Sequence, residues 1–152
     1  MAITDFFKKI RTGKLFFGKK EPNFVVEFIL KGKTYVVEEF DLEFKQDVNV
    51  KNKPDGEPYG GIITITISDT PDDWINHWMI NAREKNDGEF RFLSNEGRIV
   101  GGARLSILFK DAYCIAYNTW VNTQGAGLLT TLVISPRKVY IGNEELENKW
   151  KY

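Results

Sequence analysis

From Phe24 onward the pattern of apolar and polar residues becomes strand-like, with clear period-two runs that fit strands with one buried face. Phe24 to Leu30 is rich in β-branched and aromatic residues, and Lys31-Gly32-Lys33 reads as the turn that ends it. In Thr34 to Gln46, Val36, Phe40, Leu42 and Phe44 fall on one face and Glu39, Asp41, Glu43 and Lys45 on the other. These two runs predict a hairpin. Tyr59 to Ser68 alternates most cleanly, Ile63, Ile65 and Ile67 against Thr64, Thr66 and Ser68. Further strands are predicted at Gly88–Ser94, Ala103–Lys110, Ala112–Val121 and Leu128–Ile141, with Pro136 marking an edge or bend in the last. Glycine-rich turns fall at Asn95–Gly102 and Gln124–Gly127.

The period changes in two places. Thr70-Pro71-Asp72-Asp73 predicts a helix start, with Thr70 as N-cap, Pro71 in the first turn and Asp73 completing a capping box. Trp74, Trp78 and Ala82 then lie four apart with Ile75 and Met79 alongside, a stripe suited to packing on a sheet, and Asn86-Asp87-Gly88 reads as the stop. Residues 1–23 form the second exception. Ile3, Phe6, Phe7 and Ile10 fall at helical spacing, with Lys8, Lys9 and Arg11 set apart from them. Gly13 and Gly18 interrupt the pattern, and Glu21-Pro22-Asn23 marks a boundary. The expected division is an N-terminal extension, 1–23, with a short helix, and a β domain, 24–152. The extension is expected to pack on the body or a neighbouring subunit; a membrane-surface anchor is the alternative. About seven antiparallel strands and one mid-chain helix favour a mainly β fold, a closed or nearly closed barrel with one flanking helix.

Two segments do not fit a plain barrel wall. Asp47 to Pro58 is a long polar loop centred on Lys53-Pro54-Asp55-Gly56; such loops in compact domains are functional or disordered. Leu128 to Ile134 is apolar on both faces, with Leu128, Leu132 and Ile134 on one and Leu129 and Val133 on the other. A wall with one wet face does not need this, so the helix or another subunit is expected to cover the outside.

Composition narrows the chemistry. The 152 residues amount to one domain. Twenty-one basic and 21 acidic residues cancel, against a basic nucleic-acid binder. Aromatics make up 14%, against disorder. The single cysteine, Cys114, cannot form an internal disulfide, as expected of a chain folded in a reducing cytoplasm. Neither a membrane-length apolar run nor a signal-peptide core is present in the sequence. His77, the only histidine, lies between Trp74 and Trp78 without a recognisable nucleophile motif. Cys114 reads as a packing residue. C-x-x-C, H-E-x-x-H and P-loop patterns are absent, and Tyr59-Gly60-Gly61 reads as a bulge or turn. Neither catalysis, a metal nor a cofactor is expected. The residues alone point to a structural or assembly protein.

Several ordered segments carry a resemblance. They are Phe24–Lys45 with its Lys31-Gly32-Lys33-Thr34-Tyr35 hairpin, Gly56–Ser68, Asp73–Met79, Leu108–Tyr117 and Leu132–Trp150. In order and spacing the chain resembles the Bacteroidetes-type tube proteins of type VI secretion, the TssD or Hcp (haemolysin-coregulated protein) family. The resemblance implies a β-barrel with one helix, hexameric rings made by edge-to-edge strand contacts, and rings stacked into a hollow tube that a contractile sheath ejects. It implies sheath, spike and effector partners, no cofactor, and cytoplasmic assembly followed by export without a signal peptide. It places Val50, Lys51, Asn52, Lys53, Pro54, Asp55, Gly56 and Glu57 in an inter-ring loop. The two-sided strand nominates Leu129, Thr131 and Val133 for the ring interface. Residues 1–23 depart from the family pattern.

Two other readings make different predictions. A carbohydrate- or ligand-binding β domain would use Trp120, Trp150 or Tyr152 as a stacking platform. A hydrolase would use His77 with a carboxylate.

Overall fold

A computed structural model of the chain describes residues 24–94, 105–125 and 127–150. The predicted N-terminal helix, the Asn95–Gly102 turn and Tyr152 lie outside the described residues. The described chain holds seven strands: β1 (Phe24–Leu30), β2 (Lys33–Lys45), β3 (Tyr59–Ile67), β4 (Asn86–Ser94), β5 (Leu105–Asn122), β6 (Gly127–Ile141) and β7 (Glu144–Glu147). One helix, α1 (Asp73–Ile80), lies between β3 and β4. All strand pairs are antiparallel, in the order β3-β2-β1-β4-β5-β6-β7. A further pairing of β3 with β6, from Ile63↔Ile134 to Ile67↔Thr130, closes the sheet into a six-stranded barrel. Beyond this seam β6 takes β7 as neighbour, from Lys138 to Ile141.

The inward-facing positions make one core. Phe28, Tyr35, Ile63, Ile65, Ile67, Phe90, Phe109, Leu132 and Ile134 are fully or almost fully buried in it. Phe28 stacks on Phe90 at 4.9 Å and Trp78 on Phe109 at 6.2 Å between ring centroids. Each such side chain removed from water contributes about 1.5–3 kcal/mol, which keeps the barrel interior solid rather than hollow.

The β2 alternation carries a correction. The pairing slips between Val37 and Glu39, so Tyr35 and Val37 point inward before the bulge and Phe40 and Leu42 after it. Val36, expected on the buried face, is therefore 48% exposed, and Phe44 lies at the edge at 36%. One extra residue reverses the parity of every later side chain. The second slip, between Glu43 and Phe44, faces the glycine pair Gly60-Gly61, whose φ angles are 107° and 71°. This is the bulge that the glycines suggested. A Cβ at Gly61 would lie 2.9 Å from Val139 Cγ2.

The helix also differs from expectation. It is shorter, its N-cap is Asp72 rather than Thr70, and Asn81 ends it, so Asn86-Asp87-Gly88 opens β4 instead of closing a helix. Ile75 and Trp78 are the buried residues; Trp74, at the front of the expected stripe, is 55% exposed. Trp78 Nε1 donates to Ala112 O at 2.9 Å. Ala112 pairs with Asn86, the first residue of β4, so the helix meets β5 where its β4 ladder ends. The two strands expected at Ala103–Lys110 and Ala112–Val121 are one continuous β5. Asp111 takes the turn-like φ of 52° between them, held by its N–H donating to Asp87 Oδ1. The predicted total of seven survives because β7 forms after Ile141, where no strand was predicted.

Candidate functional site

Residues 46–58, between β2 and β3, fold on themselves into a small finger. Val48 and Pro54 bridge its two sides. Asn49 organises the tip: its N–H donates to Lys53 O at 2.9 Å, and its Oδ1 accepts from the N–H groups of Lys51 and Lys53. Asn52 takes a left-handed φ of 62° and donates its N–H to Asn49 O, which closes the turn. Asp55 N–H donates to Asp47 O, and Tyr59 Oη donates to Asp47 Oδ1, tying the base to β3. Glu57 and Lys149 form an ion pair at 3.3 Å. Much of the loop's backbone hydrogen bonding is thus internal, and all eight nominated residues from Val50 to Glu57 are exposed. Val50, at the tip, is 100% exposed. A pre-shaped turn carrying an apolar residue into water suits a contact with another surface.

Leu129, Thr131 and Val133 fall together, but not as an open patch. They alternate with Leu132 and Ile134, which face the core, and so lie on the outer face of β6. Their exposures are 8%, 2% and 7%. Across the seam, Thr66 Oγ1 and Thr131 Oγ1 share a buried hydrogen bond of 2.7 Å. Both faces of this strand are therefore shielded from solvent.

At the end of the seam β3 and β6 part, and a side chain replaces the missing ladder. Asn148 accepts from Gly60 N–H at 3.2 Å and donates through Nδ2 to Gly60 O at 2.7 Å and Pro136 O at 3.0 Å. A groove of about 540 Å³ opens beside it, lined among others by Glu43, Tyr59, Ile62 and Trp150. The Trp150 ring packs on Tyr113 at 5.4 Å. Trp120, the other described stacking candidate, is half-buried in β5.

The chemistry-bearing residues have structural partners. Asp72 was missed as a site residue by sequence reasoning. It accepts from Lys33 Nζ at 2.8 Å, Tyr35 Oη at 2.6 Å and Ile75 N–H at 3.3 Å, joining the β1–β2 hairpin to the helix start. Partial burial acts to raise its pKa, but these hydrogen bonds outweigh burial and hold the carboxyl below its ordinary range. Burial, with Asp72 as acceptor, raises the Tyr35 phenol well above its usual value. Burial pushes the Cys114 thiol up to about 11, as in a packing residue and unlike an activated thiolate. His77 is exposed, with Nε2 3.6 Å from Glu84 Oε2. Among the described residues no group of three or more His, Cys, Asp and Glu side chains could hold a metal, and no helix is long and apolar enough to cross a membrane.

Comparison with known proteins agrees with this geometry. Residues 22–151 match the family model described as hemolysin coregulated protein Hcp (TssD). Among solved structures, Hcp1 from Flavobacterium johnsoniae is 26% identical, with a TM-score of 0.72 over 82% of this chain and 99% of that one. A type six secretion system protein superposes with a TM-score of 0.61 at 13% identity, over 78% of this chain and 82% of that one. The sheath/tube terminator of an extracellular contractile injection system, PVC, does so at 0.55 and 14%, over 84% and 98%. These more distant likenesses are of fold. A search of curated proteins finds no match. The barrel closed by β3 and β6, the helix α1 beside it and a match that spans every described residue lead to one conclusion: the chain belongs to the Hcp (TssD) family of type VI secretion tube proteins.

Proposed function

We propose that six copies of this chain close into a ring and that rings stack, through the finger, into the hollow inner tube that a contractile sheath drives outward. The match over residues 22–151 carries the subunit role. Two further features support assembly. Among the described residues, no strand pairs with residues 41–45 of β2 on the β1 side, or with residues 113–119 of β5 on the β4 side. Two separate open edges on one subunit are what a head-to-tail ring needs, and ring closure removes the aggregation hazard they carry. The self-bonded finger with Val50 at its tip supports stacking.

In this reading Val50–Glu57 makes the inter-ring contact, and the β6 strand carrying Leu129, Thr131 and Val133 backs the lateral one. The chain performs no catalysis and takes no cofactor. It is assembled in the cytoplasm, exported without a signal peptide, and meets the sheath, spike and effector proteins of its system. Residues 1–23 form an extension to a barrel domain, 24–152.

Light scattering on the purified full chain, with negative-stain microscopy, tests this. The expected species is an annulus of six times the 17.5 kDa chain mass. Replacing residues 50–57 with a short glycine linker should leave rings intact and stop stacking. A monomer at every concentration overturns the ring, and normal stacking without the finger overturns its role.

A further inference from the structure

A stack that grows without closing joins two different surfaces of the same subunit. The finger is one of them, and its partner surface must lie at another end of the molecule. The groove beside Asn148 does not qualify. Glu43, Lys45 and Tyr59 line it at the finger's own base, and the Glu57–Lys149 ion pair ties it to the finger.

The far end of the same two strands carries α1. β2 begins at Lys33, whose Nζ bonds the helix cap Asp72, and ends at Lys45, where the finger begins. β3 leaves the finger at Tyr59 and runs to Ile67, from which the chain enters α1. The nine residues of β3 span about 26 Å at about 3.3 Å per step, so finger and helix stand at opposite ends of one β2–β3 ribbon.

The helix buries Ile75 and Trp78 and leaves Asp73, Trp74, His77 and Ile80 exposed together on its other face. Trp74 is 55% exposed and Ile80 84%. Lys31 Nζ lies 4.3 Å from the centroid of the Trp74 ring, which holds the indole against the surface. Single exposed apolar residues are ordinary, but a tryptophan and an isoleucine on one helix face make a patch, and tryptophan is enriched at the centres of interfaces. The finger offers an apolar counterpart in Val48, 57% exposed, and Val50. Charge matches as well. Lys51 and Lys53 follow Val50 on the finger, Asp73 precedes Trp74 on the helix, and none of the three enters an ion pair among the described residues. Glu84, by contrast, is already held by Lys31 and His77.

We propose that the finger of one copy docks on the exposed face of α1 of a second copy, with Val50 against Trp74 and Ile80 and with Lys51 and Lys53 toward Asp73. This rests on the stacking reading given above and adds the surface that receives the finger.

Two measurements on the full chain test the contact. In a Cys114→Ala background, Val50→Cys and Ile80→Cys chains are mixed and treated with a short bismaleimide. The mixture should give about tenfold more cross-linked dimer than either variant gives alone. Self-linking of Val50→Cys at an equal level, which means that finger meets finger, overturns the proposal. In negative stain, Ile80→Asp should shorten stacks as much as replacing the finger does, with rings and melting temperature unchanged. Lys51→Glu with Lys53→Glu should also shorten them, and adding Asp73→Lys should restore them. Normal stacks from Ile80→Asp, or no restoration by a folded Asp73→Lys chain, overturn α1 as the receiving surface and leave the finger's role standing. Normal stacks after replacement of the finger overturn both. If Asp73→Lys fails to fold, Ile80→Asp decides; if no rings form, the stacking reading falls and the cross-link decides the contact by itself.

Discussion

Asp72 has a position whose effect can be measured directly. It caps α1 and ties that cap to Lys33 and Tyr35, so Asp72→Ala removes three hydrogen bonds at once. The expected loss is about 2 kcal/mol in urea denaturation at neutral pH, since a helix cap contributes about 1 kcal/mol and a charge-assisted partner adds to it. The sign of the pH dependence follows from the depressed pKa. The Asp72 contribution is complete above the unfolded carboxyl value of about 3.9 and disappears as pH falls through the lower folded value. The gap between wild type and Asp72→Ala should accordingly close in acid; a gap that widens below pH 4 contradicts the assignment. Gly61→Ala should destabilise by about 1–3 kcal/mol, because the site combines a φ of 71° with a 2.9 Å approach to Val139. The glycine pair announced a bulge in the sequence. The Asp72 linkage did not show, because its partners Lys33 and Tyr35 lie in another run and only the fold brings them to the helix start.

At the scale of elements, the finger and the barrel separate cleanly. Asn49→Ala removes the acceptor shared by Lys51 and Lys53 without touching a core residue. Its melting temperature should stay within about 2 °C of wild type, as for surface changes, while ring stacking falls in negative stain. An equal loss of both would mean that the finger supports the barrel. Strand positions were largely legible, because Ile63, Ile65 and Ile67 can be buried on one side only in an alternating strand. The misread elements share a cause: local spacing does not record what the partner strand does. The β2 bulge at residue 38, the continuous β5 through Asp111 and the late strand β7 are each set by pairing. The finger's position was legible as a polar interruption; its internal bonding, centred on Asn49, was not.

At the scale of the molecule, closure rests on the five-pair β3–β6 seam and is extended by Asn148. Asn148→Ala should cost about 2 kcal/mol, by leaving the Gly60 and Pro136 backbone groups without that partner. Light scattering on this variant should still report rings at temperatures below its melting point. Loss of rings with the fold intact would place Asn148 in the interface. The family was legible from the ordered segments, since together they describe one barrel topology. The covered outer face was legible only as a question, raised by Leu129 and Val133 on the wrong side of a wall.

The seam has a kinetic corollary. It joins Ile63–Ile67 to Thr130–Ile134, so the ribosome must deliver the chain through Ile134 before the circle of hydrogen bonds can be completed. Distant pairings of this kind are slow to find, on the millisecond to second scale. Until β6 emerges, the nascent polypeptide exposes half-built edges.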